Sequence, residues 1–376
     1  MVEMENPSTF LRNVSKRCIP IVCLLALSAC GGGGGSNSTP TQPSTSDNNP
    51  PVVTPPADTT PPVVTPPADT TPPVVTPPTQ ALAFVYVTDR TNGSVTKCTV
   101  DSATGALMNC GMPVTGFVNP TDIVINGNNA YIASFGGNAV HHCTIDANGD
   151  LSACTNAGVT GMNGPTDIAI QGATAYIVNF GSNTISKCAI DATSGALSGC
   201  VDSGALGLNS PIGLDIRNGF AYVTNVADNS VSQCTIDGVT GNLACASNKK
   251  YNTLGLFSPY GITLNGTSVY IISQGAPATA TVPMTQSKVT RCTVDATTGD
   301  IDPLSCTTET GFSVPDALPT DWYQANRMII KGNIAYLANR NINKVTQCTV
   351  NGTTGALSAC VNAASVFNAA TGIIIK

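Results

Sequence analysis

The chain has little charge and few rings. Only 10% of its residues are Asp, Glu, Lys or Arg, and only 5% are Phe, Trp or Tyr. Its 16 basic side chains are outnumbered by 22 acidic ones, for a net charge of −6. A nucleic-acid binder needs a basic footprint, so that class is excluded. No stretch carries a capped 3.6-residue apolar period, which argues against a helical bundle. The only histidines, His141 and His142, are adjacent, and there is no Cys-x-x-Cys. Spacing therefore gives no zinc site and no other metal or cofactor site. There is also no Gly-x-Ser-x-Gly nucleophile elbow. What the chain does have is 36 Gly, 26 Pro and 15 Cys.

The first 80 residues differ from the rest. Arg12, Lys16 and Arg17 precede an apolar run from Ile19 to Leu27. The run is too short to span a bilayer but suits a signal peptide. It ends in Leu27-Ser28-Ala29-Cys30, followed by five glycines. This resembles the lipobox of bacterial lipoproteins. The resemblance implies loss of residues 1–29, lipidation of Cys30, and attachment to the outer membrane through that lipid, facing the periplasm or the cell surface. Residues 30–80 form an expected stalk. Glycine and small polar residues come first, then an 11-residue Pro/Thr unit repeats from Pro50, from Pro61 and in part from Pro72. Proline removes amide donors, so polyproline II is expected, about 3.1 Å per residue or roughly 90 Å in all.

Residues 81–376 are a repeat array. An apolar–Tyr–apolar strand recurs at Tyr86, Tyr131, Tyr176, Tyr222, Tyr270 and Tyr336. A second apolar strand precedes five of these, and two Cys-bearing strands follow each one. Four short strands per 45 or so residues is the sequence pattern of a propeller blade. The missing sixth first strand is supplied by Thr371-Gly372-Ile373-Ile374-Ile375. The predicted fold is an all-β, six-bladed propeller of four-stranded antiparallel blades. The C-terminal strand closes it by pairing in the N-terminal blade. Tyr222-Val223-Thr224-Asn225, Pro211-Ile212-Gly213-Leu214 and Pro259-Tyr260-Gly261-Ile262 resemble the YVTN β-propeller repeat family. That family is related to lactonase-type propellers, which usually have seven blades.

Setting aside Cys18, Cys23 and Cys30 leaves twelve cysteines in six local pairs. These are Cys98/Cys110, Cys143/Cys154, Cys188/Cys200, Cys234/Cys245, Cys292/Cys306 and Cys348/Cys360. Each brackets a hairpin, so one disulfide per blade is expected, with the two cysteines directly opposite on the third and fourth strands. Asp101, Asp146, Asp191, Asp237, Asp295 and Asn351 recur three residues after the first Cys, as Asx-turn residues would. Asp146, Asn148 and Asp150 faintly suggest a calcium loop, but no bidentate Glu follows.

In such blades the first-strand starts and second-strand ends share one face. That places Asp122, Asp167 and Arg327, with Asp89, Asn179, Asn225 and Asn339, around a channel mouth as candidate ligand-binding residues. Two long insertions, 274–287 and 307–325, join the same face. The second carries Trp322 and Tyr323, two further candidates, with Asp321 and the only Glu after Cys30, Glu309. No catalytic set emerges. The expected function is a membrane-anchored propeller that binds or displays through the mouth, its partner an unidentified protein, glycan or small molecule. The lactonase resemblance implies an alternative: a hydrolase of sugar lactones or esters with an Asp base and Arg327 as oxyanion stabiliser. A third possibility is an envelope assembly scaffold.

Overall fold

The computed structural model describes residues 83–274, 287–309, 325–340 and 342–376, without the side chains of 247 and 248. Cys30, the stalk, Asp321, Trp322 and Tyr323 lie outside these residues. The described residues form six four-stranded antiparallel sheets and no helix. Blade two is representative. Its strands run Pro120–Asn126, Asn129–Ser134, Ala139–Ile145 and Leu151–Asn156 from the inside out. The other inner strands are Pro165–Gln171, Pro211–Arg217, Pro259–Asn265, Ala325–Lys331 and Ala370–Ile375. The last of these pairs with Ala83–Asp89, matching Val85 with Ile375 and Val87 with Ile373. Blade one thus contains both ends of the propeller.

The core is six wedges rather than one centre. Each hydrophobic cluster is shared by neighbouring blades. In one, Phe84, Tyr86 and Val95 of blade one pack with Ile123, Ile132 and Ile145 of blade two. Leu337 and Met328 of blade six pack with Tyr270, Ile272 and Val289 of blade five. The six tyrosines are the largest fully buried side chains. Each donates its hydroxyl to a glycine carbonyl in the hairpin of the next blade: Tyr86 to Gly149 at 2.6 Å, Tyr131 to Gly195 at 2.6 Å, Tyr176 to Gly241 at 2.9 Å, Tyr222 to Gly299 at 2.6 Å, Tyr270 to Gly355 at 2.6 Å and Tyr336 to Gly105 at 2.5 Å. A buried phenol needs a partner, and the neighbouring turn supplies it. Burial raises these phenols, Tyr86 and Tyr336 to about 12, so they remain protonated donors. The glycines sit at positive φ, 71° for Gly195, where a side chain would strain the backbone.

All six expected disulfides form: Cys98–Cys110, Cys143–Cys154, Cys188–Cys200, Cys234–Cys245, Cys292–Cys306 and Cys348–Cys360, with Cα–Cα distances of 4.0–4.1 Å. The expectation that each pair sits directly opposite across the two strands needs correction. Only Cys234 and Cys245 pair in direct register. Elsewhere the ladder slips at the disulfide, so that Cys110, Cys154, Cys200, Cys306 and Cys360 share the place opposite their partners with extra residues. In blades one, two, three and six the residue before the outer Cys adopts positive φ: Asn109 before Cys110, Ala153 before Cys154, Gly199 before Cys200 and Ala359 before Cys360. Each is the extra residue of a bulge, and it rotates the outer cysteine toward the inner one. In blade five the slip is larger. Pro303 to Cys306 lie between the pairs Thr293–Asp302 and Arg291–Thr307, opposite Cys292 alone.

The recurrent Asp turns are as expected: Asp191 accepts from the amides of Thr193 and Ser194 at 3.1 and 2.7 Å. Such hydrogen bonds lower the carboxyl pKa of Asp101, Asp191, Asp237 and Asp295.

Candidate functional site

The inner strands set the site because their free edges face the axis. An inner strand pairs only with the second strand of its blade, so its other edge must find acceptors elsewhere. The third residue of each inner strand is in turn Asp122, Asp167, Gly213, Gly261, Arg327 and Gly372. Asp122 Oδ2 accepts the amide of Ile168 in blade three at 3.1 Å. Asp167 Oδ2 accepts that of Leu214 in blade four at 2.6 Å. Asp215, two residues further along its strand, accepts that of Leu264 in blade five at 2.7 Å. Where the third residue is glycine, backbone fills the space: a Cβ on Gly213 would lie 2.2 Å from the carbonyl oxygen of Tyr260.

Arg327 projects from blade six across the axis. Its Nε lies 3.3 Å from Asp122 Oδ1, an ion pair not aligned as a hydrogen bond. Its Nη2 donates to Asp167 Oδ1 at 2.5 Å, and its Nη1 pairs with Asp167 Oδ2. Asp122 and Asp167 are each 2% exposed. Burial raises the Asp167 carboxyl well above the usual range; Arg327 pulls it down and Asp122 pushes it up again. Burial likewise raises Asp215. Burial opposes charge on Arg327, but Asp122, Asp167 and Asp215 outweigh it and hold the guanidinium firmly protonated. The predicted trio does meet, paired across the axis. Beyond it a cavity of about 510 Å³ runs along the inner strands, lined by Val124, Ala169, Asp215, Thr263, Arg327 and Ile329.

Asp89, Asn179, Asn225 and Asn339, the other predicted site residues among those described, are brought to the same face but are spent on its loops. Asp89 accepts the amides of Asn92 at 2.9 Å and Asn368 at 2.6 Å. Asn179 accepts from Asn163 N and donates to Ser186 Oγ, and Asn225 accepts from Asn209 N and donates to Ser232 Oγ. Asn339 donates to Thr346 Oγ1 at 2.9 Å. All four are buried. Glu309 lies away from the axis, held by Arg291 Nε at 2.7 Å and the amide of Leu357 at 2.8 Å.

The long polar position on the third strand bridges blades at Lys97, Gln233 and Gln347. Lys97 reaches Asn148 O at 2.9 Å, Gln233 reaches Thr298 O at 2.9 Å, and Gln347 reaches Thr104 O at 2.8 Å. His142, in the same position, stacks on Tyr131 and meets Asn129 Oδ1 at 2.7 Å.

Comparison with known proteins shows the same architecture elsewhere. No protein-family model and no curated protein matches the chain. Among solved structures, a candidate 6-phosphogluconolactonase from Bacteroides uniformis aligns over 78% of this chain and 85% of its own, with a TM-score of 0.53 and 17% identity. A periplasmic gluconolactonase from Pseudomonas aeruginosa aligns over 78% and 85%, with a TM-score of 0.50 and 12% identity. A chain of a nidogen–laminin complex covers 78% and 98%, with a TM-score of 0.53 and 13% identity. At such identities the likeness is one of fold, and the fold hosts both hydrolases and binding partners.

Two groups of residues were not read as groups from the sequence, although Phe135 and Phe180 already stood out there as aromatics on the same rim. Asn138, Asn183, Asn229 and Asn343 adopt positive φ in the loop between second and third strands. Their side chains accept the amides of Gly164, Ser210, Ser258 and Ala369 at 2.7–2.8 Å, tying each loop to the entry of the next inner strand. Their recurrence two residues before Val140, Ile185, Val231 and Val345 was the available signal. The second group is the residue just after each second strand: Arg90, Phe135, Phe180, Val226, Gln274 and Arg340. It varies from blade to blade, so periodicity could not mark it. Arg90 is 9% exposed, and its Cζ lies 5.1 Å from the centroid of the Phe135 ring. Phe135 in turn meets Phe180 at 6.2 Å.

Proposed function

We propose that this chain is an envelope-anchored β-propeller that binds a ligand through the loop face carrying Arg90, Phe135, Phe180 and Arg340. One observation carries the reading. The carboxylates and guanidinium available for acid–base work at the axis, Asp122, Asp167 and Arg327, are buried and consumed by each other and by backbone amides. A general base must reach the proton it abstracts, and a buried carboxylate held by an arginine and an amide is poorly placed for that. The blade-to-blade variation at the loop positions suits recognition, since a rigid scaffold presenting variable loop residues is how propellers and sandwiches bind. The lipobox-like Leu27-Ser28-Ala29-Cys30 and the Pro-rich stalk support a tethered module.

A second reading, a lactonase-like hydrolase, is favoured by the fold shared with the candidate 6-phosphogluconolactonase and the periplasmic gluconolactonase. The two are separated by assaying the full chain on sugar lactones and aryl esters. The binding reading expects no turnover above buffer. Turnover abolished by Asp122→Asn or Arg327→Ala, with the fold intact, establishes the hydrolase instead. For the anchor, Cys30→Ala is expected to move the protein from the membrane to the soluble fraction.

A further inference from the structure

We infer that Arg90 and Arg340 form a subsite for the carboxylate or phosphate of a small oxyanion, whose apolar part rests on Phe135 and Phe180. This rests on the binding reading above and names the ligand class for that face. The two arginines occupy equivalent positions in neighbouring blades, one and six, directly after Asp89 and Asn339. Among the described residues neither guanidinium has an ion pair or a hydrogen-bond acceptor. The carboxylates of the described ion pairs serve Lys97, Lys249, Lys250, Arg291 and Arg327. Asp89, the neighbour in sequence, is taken by Asn92 and Asn368.

A buried guanidinium without an anion is costly, and a second one nearby adds repulsion. Burial, then the Arg340 charge, push Arg90 down to about 10; burial lowers Arg340 as well. The ring of Phe135 under Arg90 offsets part of that cost by cation–π attraction. It leaves the planar N–H fork free for a carboxylate or phosphate, the acceptors whose geometry it matches. Tyr260 lies within electrostatic reach of both arginines. In a chain of net charge −6, Arg90 over the Phe135 ring, with the Arg340 charge in electrostatic reach, is a local inversion of the protein's charge.

The test uses the full chain in detergent with phenyl phosphate, inorganic phosphate and benzyl alcohol, read by calorimetry and thermal shift. Phenyl phosphate is expected to bind best, inorganic phosphate more weakly, and benzyl alcohol at least tenfold more weakly than phenyl phosphate. Arg90→Gln and Arg340→Gln are each expected to raise the phenyl phosphate Kd at least tenfold. Phe135→Leu should weaken phenyl phosphate and spare inorganic phosphate. Without anion, Arg90→Gln should keep or raise Tm, because it removes a buried charge that nothing compensates. A lowered Tm with an intact phosphate response would assign Arg90 a purely structural role and overturn the proposal. Neutral ligands whose binding is lost in Phe135→Asp but unchanged in Arg90→Gln would refute the subsite while leaving the face as the binding surface. Lactone turnover would refute the binding reading itself.

Discussion

Replacing Arg327 by Met tests the physics of the axis. The substitution keeps much of the side-chain length and removes the charge that two carboxylates, each 2% exposed, face across the channel. Breaking a buried pair by deleting one partner costs about 3–5 kcal/mol, because the remaining charge has lost its compensation. For a domain of this size 1 kcal/mol moves Tm by about 2 °C, so a drop of roughly 6–10 °C is expected near pH 8. The pH dependence is the sharper part. The carboxyl pKa of Asp167 is already raised in the folded protein, chiefly by burial. A carboxyl raised on folding stabilises at pH below its unfolded value, near 3.9, and that stability is lost as pH climbs through the folded pKa. Without Arg327 the folded value rises further, so the variant should lose least at pH 4.5, where Asp167 takes up a proton, and most at pH 8. Urea unfolding of both proteins under non-reducing conditions, from pH 4 to 8, measures this. An equal deficit at both ends of that range would mean the guanidinium contributes packing alone, and the ion-pair account of the axis would fail.

Other outcomes follow from the repeats. Tyr131→Phe deletes one hydroxyl and leaves the Gly195 carbonyl unpartnered, so about 1–2 kcal/mol should be lost in urea unfolding. Tyr336→Phe should cost a similar amount, because the Tyr336–Gly105 contact repeats the same geometry at ring closure. Cys143→Ala with Cys154→Ala opens a loop of separation 11 and should cost about 3 kcal/mol, with reductant no longer shifting that blade's contribution. Asn229→Ala removes the acceptor for Ser258 N and a side chain suited to positive φ; a loss of about 1–2 kcal/mol is expected, and amide exchange at Ser258 should accelerate.

The architecture was legible because it repeats. Six tyrosines and six Cys pairs, one of each per blade, revealed blade number, strand order and disulfide partners, since each blade solves the same packing problem with the same residues. The register slips beside Cys110, Cys154, Cys200, Cys306 and Cys360 were not legible, because a bulge leaves composition and hairpin spacing almost unchanged. The site was legible only as a face. Periodicity marked Asp89, Asn179 and Asn225, yet recurrence signals a shared structural duty, and they cap loops. Asp122, Asp167 and Arg327 stood out as departures from glycine, but their pairing spans blades two, three and six, a relation no local spacing encodes. Arg90 and Arg340 were hidden because nothing in the sequence tells a guanidinium with a partner from one without.

The union of the two ends in blade one has a mechanical side. Ala83–Asp89 is not an edge strand: it is hydrogen-bonded to Ser94–Val100 on one side and to Ala370–Ile375 on the other. Tension transmitted along the preceding segment would enter at Ala83, mid-sheet, and load two ladders lengthwise at once. Freeing the strand means shearing many main-chain bonds together rather than peeling them singly. The first strand of the wheel is therefore one of its best-held spokes, and Ala370–Ile375 locks it in place.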